Sequence, residues 1–194
     1  MSAIPTYTDL VAFERDCRAT VAQTFAIADQ AVANGAAPGA VLAVSWHGKR
    51  WYHGTGRLGV DDASVPDSLT LYDLASVTKV TALTPLALLA VSHGTLDLDA
   101  PIQRYVPEFV GPGKDRVTVR QLLTHSSGLP PWRPLYLGAT TRAAAFALAD
   151  TTTLDTLPGV RMVYSDLGII VLTQALERID GHRLDTLAHD LVFG

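Results

Sequence analysis

Apolar residues recur at helical spacing near the start of the chain. Leu10, Val11, Phe13, Val21, Phe25, Ile27 and Val32 stand among polar positions and predict one amphipathic helix over 9–34, stopped by Asn34-Gly35. After Pro38-Gly39 the pattern changes. Residues 40–46 form an apolar, β-branched run that reads as a buried strand, and 50–54 read as its hairpin partner across His47-Gly48. A loop over 60–70, rich in Asp, Ser and Pro, leads to the most apolar helix of the chain. That helix is expected from Ala75-Ser76 to about Val91, with Pro85 predicting a kink or a break. Further helices follow: a short one after Pro101 that ends at Pro107, one over 119–123 opened by Thr118, an Ala-rich one over 141–149, and two over 168–179 and 184–192 separated by Asp180-Gly181. The pattern is α+β, with many helices and two strands. A lone hairpin is marginal in water, so either the first helix covers it or the sheet requires more strands.

Composition narrows the function classes. The 194 residues are 48% hydrophobic and 18% charged, which excludes a disordered tail or a fibrous repeat. A chain of this length buries roughly 70% of its unfolded surface. Fifteen basic against nineteen acidic residues give a net charge of −4, and no basic footprint points to nucleic acid or membrane. A small-molecule partner fits better. Cys17 has no second cysteine with which to form a disulfide or a metal pair. The N-terminus lacks the basic and apolar segments of a secretory signal, so the expected location is the cytoplasm. The longest apolar run, Val80 to Val91, is well short of the ~20 residues that span a bilayer.

Three segments are candidates for chemistry. Gly54-Thr-Gly-Arg-Leu-Gly59 fits a dinucleotide fingerprint, but no helix follows to hold a pyrophosphate, so its glycines read as bends that end the hairpin. Ser76-Val-Thr-Lys79 is an S-x-x-K pattern. Alone it is weak, since a cap followed by a solvated lysine reads the same way. Its context is more telling, because Lys79 is one of three lysines and lies in the most apolar helix. There it either reaches out to solvent or sits in a desolvated pocket that lowers its pKa and lets it take a proton. Spacing of three puts Ser76 beside Lys79, and first-turn N–H groups are expected to favour developing negative charge near the serine. The third segment is Tyr164-Ser165-Asp166, where Tyr164 and Asp166 either face one cleft or serve as a packing residue and a helix N-cap.

Four segments in order, Leu71–Lys79, Leu96–Pro101, Val117–Pro130 and Pro158 to Asp166, resemble the serine β-lactamase-related family. That family groups class C β-lactamases, D,D-peptidases, D-amino-acid peptidases and lactamase-like esterases. The resemblance runs from about Pro38 to the last residue. It implies a β-lactamase/transpeptidase-like α+β fold, with a helical region and an antiparallel sheet of which only the first hairpin is present here. The expected division is residues 1–60, helix and hairpin, and 61–194, a mainly helical region carrying the motifs.

The resemblance also implies roles. Ser76 is the expected nucleophile of an acyl-enzyme, Lys79 its hydrogen-bonded activator, and Tyr164 the phenol that shuttles the proton to the leaving group and later activates water. Asp166 stands where the family has Asn. An ionised Asp only accepts hydrogen bonds, so the change is expected to strengthen the pairing with Lys79, raise the lysine's pKa and weaken the grip on a substrate amide. This favours an esterase over a β-lactamase. His125 is expected to support the site as part of a structural turn, and Trp132 and Tyr136 to line a substrate cleft or simply to pack. The histidines at 47, 53, 93, 182 and 189 show no metal-ligand pairing, and no cofactor motif emerges.

The family's Lys-Thr-Gly or His-x-Gly tripeptide, which supplies a second oxyanion donor, has no counterpart after Tyr164. The chain therefore reads as the N-terminal portion of a serine hydrolase that cleaves a small ester or amide. The alternative is a truncated, non-catalytic binding form that needs a partner segment to complete its sheet.

Overall fold

A computed structural model describes residues 10–46 and 48–194; His47 and the residues before Leu10 lie outside the description. Two compact units divide it, 1–73 and 74–194.

In the first unit, helix α1 (Leu10–Ala33) precedes an antiparallel hairpin of β1 (Gly39–Trp46) and β2 (Lys49–Gly56). The register pairs Gly39 with Gly56 and Trp46 with Lys49. Helix α1 lies against the hairpin. Phe25 stacks on His53 with ring centroids 4.9 Å apart, and His53 Nε2 meets Asp29 Oδ1 at 2.7 Å. Ile27, in contrast, is 72% exposed, so the apolar face expected from the sequence is only partly used. Among the described residues, every buried hydrophobic side chain lies at Ala82 or beyond. The hairpin is thus covered by one helix without a sealed core of its own.

The segment after β2 folds back on the strand. Arg57 N–H donates to the Pro38 carbonyl at 2.9 Å and Leu58 N–H to the Ser64 carbonyl at 2.9 Å. The Pro66 carbonyl passes so close to Gly54 that a Cβ there would stand 1.6 Å from its oxygen. Gly54 is therefore fixed by backbone approach rather than by a ligand, in agreement with its reading as part of a hairpin end.

The second unit is helical. The apolar helix runs to Ser92, but it opens with a π-turn over Lys79–Leu83 before the regular helix α2 (Thr84–Ser92). Pro85 explains the π-turn. A proline lacks the N–H that would close the next helical turn, and its ring collides with the carbonyl four residues back. Widening the helix just upstream relieves both constraints, and Thr84 N–H donates to the Lys79 carbonyl instead. The expected kink is thus a local widening.

Helix α3 (Val119–Leu123) begins at Thr118 with a reciprocal capping box: Thr118 Oγ1 accepts from Gln121 N–H and Gln121 Oε1 accepts from Thr118 N–H. Helix α4 (Arg142–Thr151) is capped by Thr141. Helix α5 (Asp166–Asp180) ends at Gly181, whose φ of 87° closes the helix in the left-handed region, and α6 (Leu184–Ala188) follows.

Helix α5 carries the core. Leu167, Val171, Leu172, Ala175 and Leu176 are buried on one side of it, among Leu83, Leu86, Leu122 and Leu129. Polar groups are also enclosed. Lys114, 1% exposed, donates to the Asp150 backbone carbonyl and lies 4.5 Å from the Phe109 ring centroid. The Asp150 carboxylate accepts from Gln174 Nε2 at 2.9 and 3.1 Å.

Gly54→Ala is expected to destabilise the protein by about 2 kcal/mol or more, because backbone must move to admit the methyl. Gly59→Ala, with nothing within 4 Å of the new Cβ, is expected to change stability by less than about 1 kcal/mol. Equal shifts in the two thermal denaturation midpoints would contradict this account.

Candidate active site

Ser76 follows Ala75, a residue with φ of 44°. A non-glycine residue in that region costs about 1–2 kcal/mol, and here it turns the chain sharply into the helix so that Ser76 stands at the bend. Lys79 Nζ donates to Ser76 Oγ at 3.0 Å. The bend also uses up donors. Val77, Thr78 and Lys79 N–H groups donate to the carbonyls of Leu74, Ala75 and Ser76 at 2.9, 3.1 and 3.1 Å. The expectation that first-turn N–H groups stay open for a developing oxyanion is therefore corrected for these three, because tight turns engage them.

The side chain of Lys79 is 17% exposed, and its ammonium reaches Asp166 Oδ1 at 2.8 Å. That oxygen is sealed from solvent and meets no donor but the ammonium. Nζ also lies 5.2 Å from the Tyr164 ring centroid. Burial pulls the lysine pKa down, yet the Asp166 carboxylate, and after it Tyr164, outweigh burial and hold Lys79 above its ordinary 10.5. The alternative of a lysine lowered to become a proton acceptor is thus replaced by that of a fixed cation. Tyr164 shifts the opposite way. A hydrogen bond with Ser76, and next one with Lys79, holds its phenol below the usual 10.0.

The N-cap of α5 is Ser165, not Asp166. Ser165 Oγ accepts from Gly168 N–H at 3.3 Å and donates to the Pro130 carbonyl at 2.7 Å. Released from capping, the Asp166 carboxylate turns towards Lys79, while its own N–H donates to the Pro131 carbonyl at 2.9 Å.

His125 ties these parts together. Its Nδ1 accepts from Ser165 N–H at 3.1 Å, its carbonyl accepts from Val163 N–H at 2.8 Å, and its ring lies 4.5 Å from that of Tyr164. A ring nitrogen that accepts from the backbone carries no proton, so the remaining proton of the neutral ring belongs to Nε2. Burial, then the Lys79 charge, holds His125 below its ordinary 6.5. Its backbone φ is 55°.

Ser76, Lys79 and Asp166 open on a cleft of about 520 Å³, and Trp132 and Tyr136 stand on its wall with ring centroids 6.3 Å apart. Tyr164 lies across Lys79, outside the cleft lining. The structure thus brings all six sequence candidates to one region. It adds a set the sequence reading passed over: Leu135, Ile169, Ile170, Thr173 and Leu184. The signal was present in part. Positions 166, 169, 170 and 173 are one helical face, beside the fully buried face at 167, 171 and 175, with Ile169 and Ile170 packed partly against the core. Among the described residues, no group of His, Cys, Asp or Glu side chains is placed to hold a metal, and no helix is long and apolar enough to cross a membrane.

The Beta-lactamase family model matches residues 25–194. The chain belongs to the beta-lactamase family. Among family relatives, esterase EstB of Burkholderia gladioli is 41% identical over 130 residues, covering 64% of this chain and 33% of its own length. A putative D-alanyl-D-alanine carboxypeptidase of Escherichia coli is 30% identical over 138 residues, covering 64% and 32%. The chain thus spans about a third of the length of these curated relatives. Among solved structures, EstCE1, a hydrolase with promiscuous acyltransferase activity, superposes with a TM-score of 0.75 at 25% identity over 88% of this chain and 51% of its own. A class C beta-lactamase gives 0.73 at 26% identity over 89% and 47%. The β-lactamase/transpeptidase-like α+β fold is shared with these beta-lactamase-family structures, and the two-stranded sheet is a part of that architecture.

The neutral state of His125 links the site to pH. A histidine whose folded pKa is depressed contributes stability that is present above 6.5 and is lost as pH falls through the lower folded value. Thermal midpoints are expected to drop between about pH 7 and pH 5, and the drop to be smaller in His125→Gln, which titrates no proton there. A variant with the wild-type slope would show that His125 does not carry this dependence.

Proposed function

We propose that the chain carries the acylation machinery of a serine hydrolase that cleaves a small ester, and less readily an amide, through a Ser76 acyl-enzyme. One observation carries the reading: the half-buried Lys79 ammonium touches the Ser76 hydroxyl and the Asp166 carboxylate and faces the Tyr164 ring. The opposite shifts of Lys79 and Tyr164 support a reading in which Lys79 is the cation and Tyr164 the proton carrier.

Tyr164, lowered towards ionisation and hydrogen-bonded with Ser76, accepts the serine proton as Ser76 Oγ attacks the substrate carbonyl. Lys79 remains charged throughout, orients Oγ and stabilises the phenolate. The acyl C–O bond then breaks, Tyr164 returns the proton to the departing alcohol oxygen, and the acyl group stays on Ser76. In the second half Tyr164 takes a proton from water, hydroxide adds to the acyl carbon, and the serine leaves with that proton. Asp166 accepts hydrogen bonds but donates none while ionised, so it offers nothing to the carbonyl of a substrate amide. This supports ester over β-lactam cleavage, as does the likeness to esterase EstB.

Ser76→Ala is expected to abolish fluorophosphonate labelling and to lower p-nitrophenyl ester hydrolysis by about a thousandfold or more. Labelling undiminished in the variant would overturn the assignment. Activity is expected to rise with pH through a Tyr164 value below 10.0, and Lys79→Met to move that limb upward, since the cation that favours the phenolate is gone. Asp166→Asn, which gains an amide donor, is expected to raise the ratio of nitrocefin to ester turnover by about tenfold. An unchanged ratio would separate Asp166 from substrate choice.

A further inference from the structure

We infer that the cleft beside Ser76 is an acyl-chain pocket that selects esters of unbranched, uncharged acids of medium length. This rests on the Ser76 assignment and adds a substrate class to it. Beyond Lys79 and Asp166 the interior wall is apolar, formed by Leu83, Leu135, Ile169, Ile170 and Leu184, with Thr173 at the far end of the α5 face. The two charges at the mouth are already paired with each other at 2.8 Å. Arg133, which also lines the cleft, is half-exposed and lies 3.7 Å from Asp155, so among the described lining residues each cation has a carboxylate beside it and none is left over for an acid at the far end of the acyl group.

The position of Tyr164 decides which half of the ester enters. The alcohol must depart towards the group that protonates it, and Tyr164 lies outside the cleft, across Lys79. The half that remains bonded to Ser76 Oγ is therefore the half that occupies the cleft. Its reach is set by α5: from Asp166 to Thr173 the helix rises about 10 Å. With C–C bonds near 1.5 Å, each methylene advances about 1.25 Å, so the pocket holds about eight carbons. Helix α5 thereby measures the acyl chain with its 166, 169, 170 and 173 face, whose Ile169 and Ile170 also pack partly against the core.

The test is the chain-length profile of p-nitrophenyl esters from acetate to palmitate on the protein itself. kcat/KM is expected to rise by up to about fourfold per methylene, to peak near octanoate and to fall beyond it. Thr173→Trp, which fills the far end, is expected to lower the octanoate-to-acetate ratio about tenfold, and Thr173→Leu to move the peak to a shorter chain. Ethyl octanoate is expected to exceed its isomer octyl acetate. A wild-type optimum at acetate, a peak unmoved by both substitutions, or a preference that follows the alcohol chain would each overturn the inference. Those outcomes leave Ser76 in place. Hydrolysis of every ester by Ser76→Ala would instead remove the underlying assignment.

Discussion

A single ammonium group holds the site together. Lys79 sits largely out of water, where an unpaired charge is costly, and the Asp166 carboxylate at 2.8 Å offsets that cost. Because Asp166 opens α5 while Lys79 opens the π-turn, the pair links two helices that each contribute several residues to the core. Removing either partner leaves a half-buried charge alone, so the contact that orders the candidate site also bears on stability. The proposed mechanism follows from this arrangement, since a lysine held in its charged form leaves Tyr164 as the group proposed to exchange a proton.

The two non-glycine residues with positive φ among the described residues are Ala75 and His125, and both adjoin this contact. One bends the chain so that Ser76 projects from the start of the helix. The other places a neutral imidazole under Tyr164 and receives the N–H of Ser165. Backbone strain of this kind persists only where surrounding contacts enforce it. Here they do: Ser165 is bolted to Pro130, Asp166 to Pro131 and Val163 to His125, which fixes the start of α5 against the preceding loop.

Much of this was legible in the sequence. Thr118, Thr141 and Gly181 mark helix ends by local chemistry, and the structure uses each as a cap. The S-x-x-K spacing placed Ser76 beside Lys79 because three residues make nearly one turn. What escaped depends on contacts distant along the chain. Lys79 shows the contrast: its apolar neighbours alone suggest a lowered pKa, whereas Asp166, 87 positions away, carries the expectation of a raised one, and the raised direction is the one found. Ser165 displaced Asp166 as cap because its hydroxyl satisfies the Pro130 carbonyl at the same time, a contact no local pattern reveals. Lys114 is more enclosed than Lys79, yet nothing around it in sequence signals the Asp150 carbonyl it meets.

The π-turn at Lys79–Leu83 separates two demands that one regular helix would couple. A residue in a helix advances by about 100° around the axis, so the extra residue accommodated there sets the Ser76–Lys79 face and the Leu86 face in different phase. Ser76 and Lys79 thereby face the cleft while Leu83, Leu86 and Ala87 remain in the core. Length in this segment is therefore under tighter constraint than residue identity. Conservative replacements preserve the phase, whereas loss of one position would regularise the helix and turn Ser76 away from its partners.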